Sequence, residues 1–206
     1  MKSFDTILKA FEVDKEIHSS YVLVNISPHG SEYISPDKHL EQGIIQNIYF
    51  NDYINKLEQC YIFSSMLNAL SFFSMYPILL KEKVLLIITG KFPTDSFIYN
   101  LKKVTKEINK FYFCIDNTIH SKLINTKLFI GISLGNNIKV EELQANQWLV
   151  AYDRKEIHFT KITLSGTSKL EKKLRTFDLK RKLYFEFIAP QRQFKEFKNL
   201  YNYESN

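Results

Sequence analysis

The chain has 206 residues, 45% of them hydrophobic with 17 Phe and 12 Tyr, and a formal net charge of +6. This length and composition suffice for one domain, or one domain with an appended subdomain, around a real core, and they exclude an intrinsically disordered chain. Its two cysteines, Cys60 and Cys114, and five scattered histidines show neither disulfide nor zinc-ligand spacing, and no apolar run reaches the roughly 20 residues a membrane helix needs.

In chain order, Ser3 or Asp5 can cap an opening helix through about Phe11, where Ile7, Leu8 and Phe11 recur at helical spacing. The polar start, Met1-Lys-Ser-Phe-Asp-Thr, does not read as a secretion signal, so a soluble cytoplasmic protein is expected. A strand follows at Tyr21–Ile26, then two turn-rich stretches, Ser27–Ser31 and Ser35–Asp37. Within the first, His29-Gly30 reads as an ordinary turn in preference to an anion-binding one, because the P-loop pattern is missing.

Ile44–Phe50 and Gln59–Phe63 are strand-like, and Met66, Leu67, Leu70, Phe73 and Met75 then form a helical apolar stripe of core type. Val84–Thr89 is a continuous apolar strand closed by Gly90 and Pro93, of the kind buried in parallel sheets. A helix capped by Thr94 or Asp95 is predicted to run to about Asn109, followed by a strand at Phe111–Ile115. The strand, helix, strand order is a βαβ unit. Further on come a short helix at Ser121–Ile124, a strand at Lys127–Ser133, a helical turn at Glu141–Asn146, and a hairpin of Trp148–Tyr152 with Glu156–Leu164. Ser165–Ser168 marks an internal boundary; Lys182–Ile188 is strand-like, and a final helix follows Pro190.

The segment Cys60-Tyr-Ile-Phe-Ser-Ser-Met-Leu-Asn-Ala-Leu-Ser71 carries the most information. It resembles the start of Toprim domains, the catalytic module of bacterial primases, topoisomerases and many mobile-element proteins, in which a hydrophobic strand ends in a glutamate and leads into a helix opening on Asp-Ala-Leu-Ser. Here Ser64 stands at the glutamate position and Asn68 at the aspartate position. Val84–Lys91 resembles the family's second strand and glycine turn. Lys110–Thr118 resembles its third, which normally closes on Asp-x-Asp; Asp116 keeps the first aspartate and Thr118 replaces the second. The resemblance spans roughly residues 44–135, and the Lys-Asp-x-Asn segment that often ends the family is missing.

The resemblance implies an α/β fold with a mainly parallel central sheet flanked by helices. To this the sequence adds a β-hairpin and a basic C-terminal α/β segment. The expected division is an N-terminal extension (1–43), a Toprim-like core (44–135) and a C-terminal hairpin and basic segment (136–206). Ligands of such sheets bind at the carboxyl ends of the strands, so Ser64, Gly90, Lys91 and Asp116 should share one rim. There they would form a residual phosphate-binding surface, or Ser64, Asp116 and Thr118 would simply cap the helices that follow them.

The chemistry of the replacements can be argued without the family. Magnesium needs hard oxygen ligands, usually carboxylates with water and substrate phosphates. A serine hydroxyl carries no charge and does not titrate near neutral pH. With Ser64, Asn68 and Thr118 in place of acids, Asp116 alone could hold magnesium only weakly, and no cofactor is expected.

The net charge is concentrated. Residues 169–198 hold ten Lys or Arg against four acids, which accounts for the whole of the +6. Lys172, Lys173, Arg175, Lys180, Arg181, Lys182, Arg192 and Lys195, interleaved with aromatics, are the candidate nucleic-acid-binding set, since cations neutralise phosphates and aromatic rings stack on unpaired bases. The competing reading is a solvated amphipathic face.

Three functions follow as expectations. The first is a catalytically silent Toprim-like protein that binds single-stranded or duplex DNA, or a replication or mobilisation protein, as a scaffolding module on a bacterial mobile element. The second is a regulatory or immunity module that binds protein only. The third is a divergent metal-dependent nuclease or primase-like enzyme with a site rebuilt from acids such as Asp95, Asp116 and Glu141.

Overall fold

The computed structural model describes residues 2–17, 22–27, 30–35, 39–43, 46–52, 56–90, 93–114, 119–134, 138–144, 147–152, 155–159 and 183–188. The chain forms two compact units. One comprises Met1–Phe92, Glu107–Asn117 and Tyr184–Asn206, the other Pro93–Lys106 and Thr118–Leu183.

The first unit is built on a five-stranded sheet of β5 (Asn47–Phe50), β6 (Gln59–Phe63), β7 (Val84–Ile88), β8 (Lys110–Phe113) and β12 (Tyr184–Phe187). Its order is β12-β8-β6-β7-β5, with β5 antiparallel on the edge and every other neighbouring pair parallel. The three strands expected inside a parallel sheet are therefore its centre, with β6 in the middle. All five residues of β7 are buried, as its unbroken apolar run requires. Phe63 pairs with Ile88 and Ile62 with Phe113, so the three strands end together on one rim. β12, from the C-terminal segment, joins beside β8. Its Phe185 ring lies 5.3 Å from Phe111 and 5.7 Å from Phe113 on one face of the sheet.

The helix after β6 is α2 (Met66–Met75), in which Met66 to Phe73 are all buried. Large apolar side chains of this kind contribute about 1.5–3 kcal/mol each when fully buried, which pins α2 to the sheet. A 3₁₀ turn at Pro77–Lys81 leads into β7, where the Asn51 side chain accepts from Val84 N–H at 2.8 Å and donates to the Glu82 carbonyl at 2.8 Å. Two residues beyond β7 the chain turns at Gly90, whose φ of 63° lies in the left-handed region that glycine adopts without strain.

Before this core the chain forms α1 (Lys2–Ala10), the expected N-terminal helix, then an antiparallel sheet of β1 (Lys15–Ile17), β2 (Val22–Ser27), β3 (Gly30–Ile34) and β4 (His39–Gly43) in sequential order. α1 packs on α2. Ile7 and Leu8 of α1, Phe11 just after it, and Val24 and Ile34 of the meander join Tyr61, Phe63, Leu70, Phe73 and Leu86 in one continuous core. The N-terminal residues are thus an integral layer of the first unit.

The second unit contains α3 (Asp95–Val104), α4 (Ile119–Leu134) and the antiparallel strands β9 (Ile138–Gln144), β10 (Gln147–Tyr152) and β11 (Lys155–Phe159). Thr94 caps α3 by accepting from Phe97 N–H at 3.2 Å. The helix ends at Val104, five residues before the expected Asn109. Two expectations are corrected here. Lys127–Ser133 is the second half of α4, not a strand: Leu128, Phe129, Ile130 and Ile132 are all buried, and a helix covered all round loses the period that would reveal it. Glu141–Gln144, expected as a helical turn, is the end of β9, which extends the hairpin of β10 and β11 into a three-stranded sheet. The Ser165–Ser168 boundary and the helix after Pro190 lie outside the described residues.

Candidate functional site

The rim where β6 gives way to α2 is the one the sequence singles out. Ser64 and Ser65 form the bend between strand and helix. A helix start leaves its first backbone N–H groups without intrahelical partners, and its dipole makes that end attractive to anions. Ser65 takes the N-cap role, with its Oγ 3.3 Å from Asn68 N–H and its carbonyl 3.3 Å from Ala69 N–H.

The two remaining donors meet a group that motif reading had passed over. Glu32, fully buried on β3, accepts Met66 N–H on Oε2 at 2.8 Å and Leu67 N–H on Oε1 at 2.7 Å. A carboxylate held by two converging N–H groups at a helix start is a charge-assisted pair, stronger than neutral hydrogen bonds. Helix starts attract anions, and here the chain's own carboxylate takes that place. The same charge reaches β5: burial pushes the Tyr49 hydroxyl pKa well up, and the carboxylates of Glu32 and Asp14 push it further.

Ser64 accepts a hydrogen bond on Oγ from Asn68 Nδ2 at 3.1 Å. The two residues thus bond to each other across about one helical turn. Across the rim Thr89 N–H donates to the Phe63 carbonyl at 2.9 Å, and Thr89 Oγ1 bonds the carbonyls of Phe63 and Gly90. Cys114, which follows β8, donates N–H to Ile62 at 2.8 Å. The pairing of Phe63 with Ile88 places Ser64 and Gly90 at the same end of the sheet. Asp116, Thr118 and Lys91 lie outside the described residues.

The acids considered for a rebuilt metal site do not form a cluster among the described residues. Asp95 is exposed at the start of α3 and pairs with Lys127 Nζ at 2.9 Å, while Glu141 belongs to β9. The basic set Lys172, Lys173, Arg175, Lys180, Arg181, Lys182, Arg192 and Lys195 lies outside the described residues. Cys60 and Cys114 are fully buried, and burial pushes both thiol pKa values far up. They are packing residues, not nucleophiles.

One signal in the sequence could have pointed to Glu32. In Gly30-Ser-Glu-Tyr-Ile34 it lies two residues from Ile34, on the same strand face, and both are buried. An acid in phase with a core residue demands a partner. The alternation alone did not say which face was inward.

No protein-family model matches the chain, and no curated protein matches it. Among solved structures it is similar to the primase fragment of the bacteriophage T7 primase-helicase protein, with 8% identity and a TM-score of 0.41 over 64% of this chain and 55% of that one. It thus spans about half the length of that fragment. It is also similar to a structure of the T7 lagging-strand DNA polymerase interacting with primase domains bound to an RNA/DNA hybrid and dTTP, with 6% identity and a TM-score of 0.36 over 80% and 84% of the two chains. These weak likenesses give no residue of this chain a role. Among the described residues no helix is long and apolar enough to cross a membrane.

Proposed function

We propose that this protein is a catalytically silent Toprim-like module that works in the cytoplasm by binding, as a nucleic-acid-associated scaffold in the replication or mobilisation of a bacterial mobile element. The observation that carries this reading is the Glu32 carboxylate on Met66 N–H and Leu67 N–H. It neutralises the helix end from within. Beside it the glutamate position is Ser64, already bonded to Asn68.

Phosphoryl transfer on this rim would need a carboxylate facing solvent to hold a hard cation. Glu32 is fully buried and committed to backbone donors, so it cannot serve. Magnesium at Asp116 would rest on one carboxylate of the family's acidic set. The concentration of cations in residues 169–198 supports binding to a polyanion as the remaining activity.

Calorimetry with magnesium and with manganese, paired with nicking assays on plasmid and single-stranded DNA, tests the silent reading. The expected result is neither a micromolar metal site nor strand cleavage. A micromolar site that vanishes in Asp116→Ala, or cleavage abolished by that change, would establish the enzyme reading instead.

A further inference from the structure

We infer that the open face of β8 and β12 is a stacking platform for unpaired bases of a single-stranded nucleic acid, with Tyr184 as its principal contact. The inference rests on the nucleic-acid-binding reading above and gives it a specific aromatic contact.

An aromatic series crosses one face of the central sheet. Tyr76 lies 4.9 Å from Phe72 between ring centroids, Phe72 lies 5.7 Å from Tyr61, and Tyr61 stacks on Tyr112 at 4.7 Å with planes 16° apart. Tyr112 then meets Tyr184 at 6.3 Å, nearly edge to face. The interior of the series is core, since Phe72 of α2 and Tyr61 of β6 are both buried. Toward β12 it comes into the open: Tyr112 is partly exposed and Tyr184 is 54% exposed.

Tyr184 is positioned from several sides. Its N–H donates to the Asn109 carbonyl at 2.8 Å, its hydroxyl donates to Glu186 at 3.0 Å, and its neighbour Phe185 packs on Phe111 and Phe113 on the opposite face. A ring ordered in advance loses little entropy when a flat partner stacks on it.

Charge identifies the partner. Tyr184 pairs in register with Lys110, and the strand alternation puts Lys110 on the same face as Tyr112. Lys110 is exposed. In the sequence, Lys180, Arg181 and Lys182 immediately precede Leu183 and Tyr184. Exposed rings beside a cation fit a strand with bases to stack and phosphates to neutralise, whereas paired bases have no free faces to offer. Glu186 is an acid on this face, and its bond to the Tyr184 hydroxyl orients the ring.

The test is fluorescence anisotropy of a labelled oligothymidylate and of an abasic strand of equal length, on full-length parent and variants shown by circular dichroism to fold. Tyr184→Ala is expected to weaken oligothymidylate binding roughly 5- to 150-fold, the range for losing one base–aromatic stack. Tyr184→Phe should bind within about twofold of the parent, because the ring is kept. Lys110→Gln should lower the log–log salt slope by about 0.7, one phosphate on a single strand. A parent that does not bind oligothymidylate at low salt overturns the nucleic-acid reading and this inference together. A parent that binds while Tyr184→Ala binds equally well overturns the platform alone. The same loss on the abasic strand also overturns it, because stacking requires bases.

Discussion

Glu32 and Met66 are 34 positions apart in sequence and 2.8 Å apart in space, the carboxylate Oε2 of one accepting the backbone N–H of the other. This bond and its companion from Leu67 join the N-terminal meander to the helix that opens the central motif. A layer outside the expected 44–135 core thereby fixes the electrostatics of the candidate site.

The first prediction follows from that bond. Glu32→Ala leaves two buried donors unpaired, at a cost of about 1–3 kcal/mol for each. Glu32→Gln keeps one acceptor and should fall between Ala and parent. Urea denaturation is expected to rank the three in that order. In the Ala variant the helix end becomes a free anion site, so inorganic phosphate should raise its melting temperature and leave that of the parent unchanged. Equal responses would mean that Glu32 does not occupy an anion position.

Alkaline pH should destabilise the fold through the two buried thiols. In the unfolded chain each titrates near the ordinary thiol value of about 9, whereas burial holds both well above that when folded. As pH rises past that value, the unfolded chain releases protons that the native state keeps. Stability is therefore complete below about pH 9 and falls above it, by up to about 1.4 kcal/mol per pH unit for each thiol. Urea midpoints from about pH 8 to about pH 10 should show this slope. It should flatten when Cys60 and Cys114 are both Ala, whatever the cavity cost. Tyr49 and Tyr61, also raised by burial, would add a further decline at higher pH.

In the second unit, Gly131 of α4 lies directly against Ile98 of α3, and an added Cβ would overlap Ile98 Cγ2. Gly→Ala inside a helix ordinarily stabilises by up to about 1 kcal/mol. Here overpacking should reverse the sign, giving a loss of about 1–3 kcal/mol. Combining Gly131→Ala with Ile98→Ala should cost less than the two single changes added together. A strictly additive double-mutant cycle would show that the helices separate freely.

The basic C-terminal segment gives the last prediction. If Lys172, Lys173, Arg175, Lys180, Arg181 and Lys182 follow a nucleic-acid backbone, affinity should fall with salt at a log–log slope of about 0.7–0.9 per phosphate neutralised. Reversing the charge of Lys172, Lys173 and Lys180 should weaken DNA binding and lower that slope in a variant that still folds. Unchanged affinity would direct attention to a protein partner.

The sequence by itself determined the centre of this protein. Unbroken apolar runs at Tyr61–Phe63, Val84–Ile88 and Phe111–Phe113 can hide only inside a sheet covered on both faces, so the parallel core was legible from local pattern. The same pattern failed at Lys127–Ser133, because complete burial gives helix and strand the same apolar signature. Only the tertiary structure decided what fills the helix end at Ser64–Ser65. The carboxylate there comes from β3, and the face of β3 that turns inward depends on what packs against it. Periodicity encodes which residues share a face; it does not encode which distant backbone groups that face will meet.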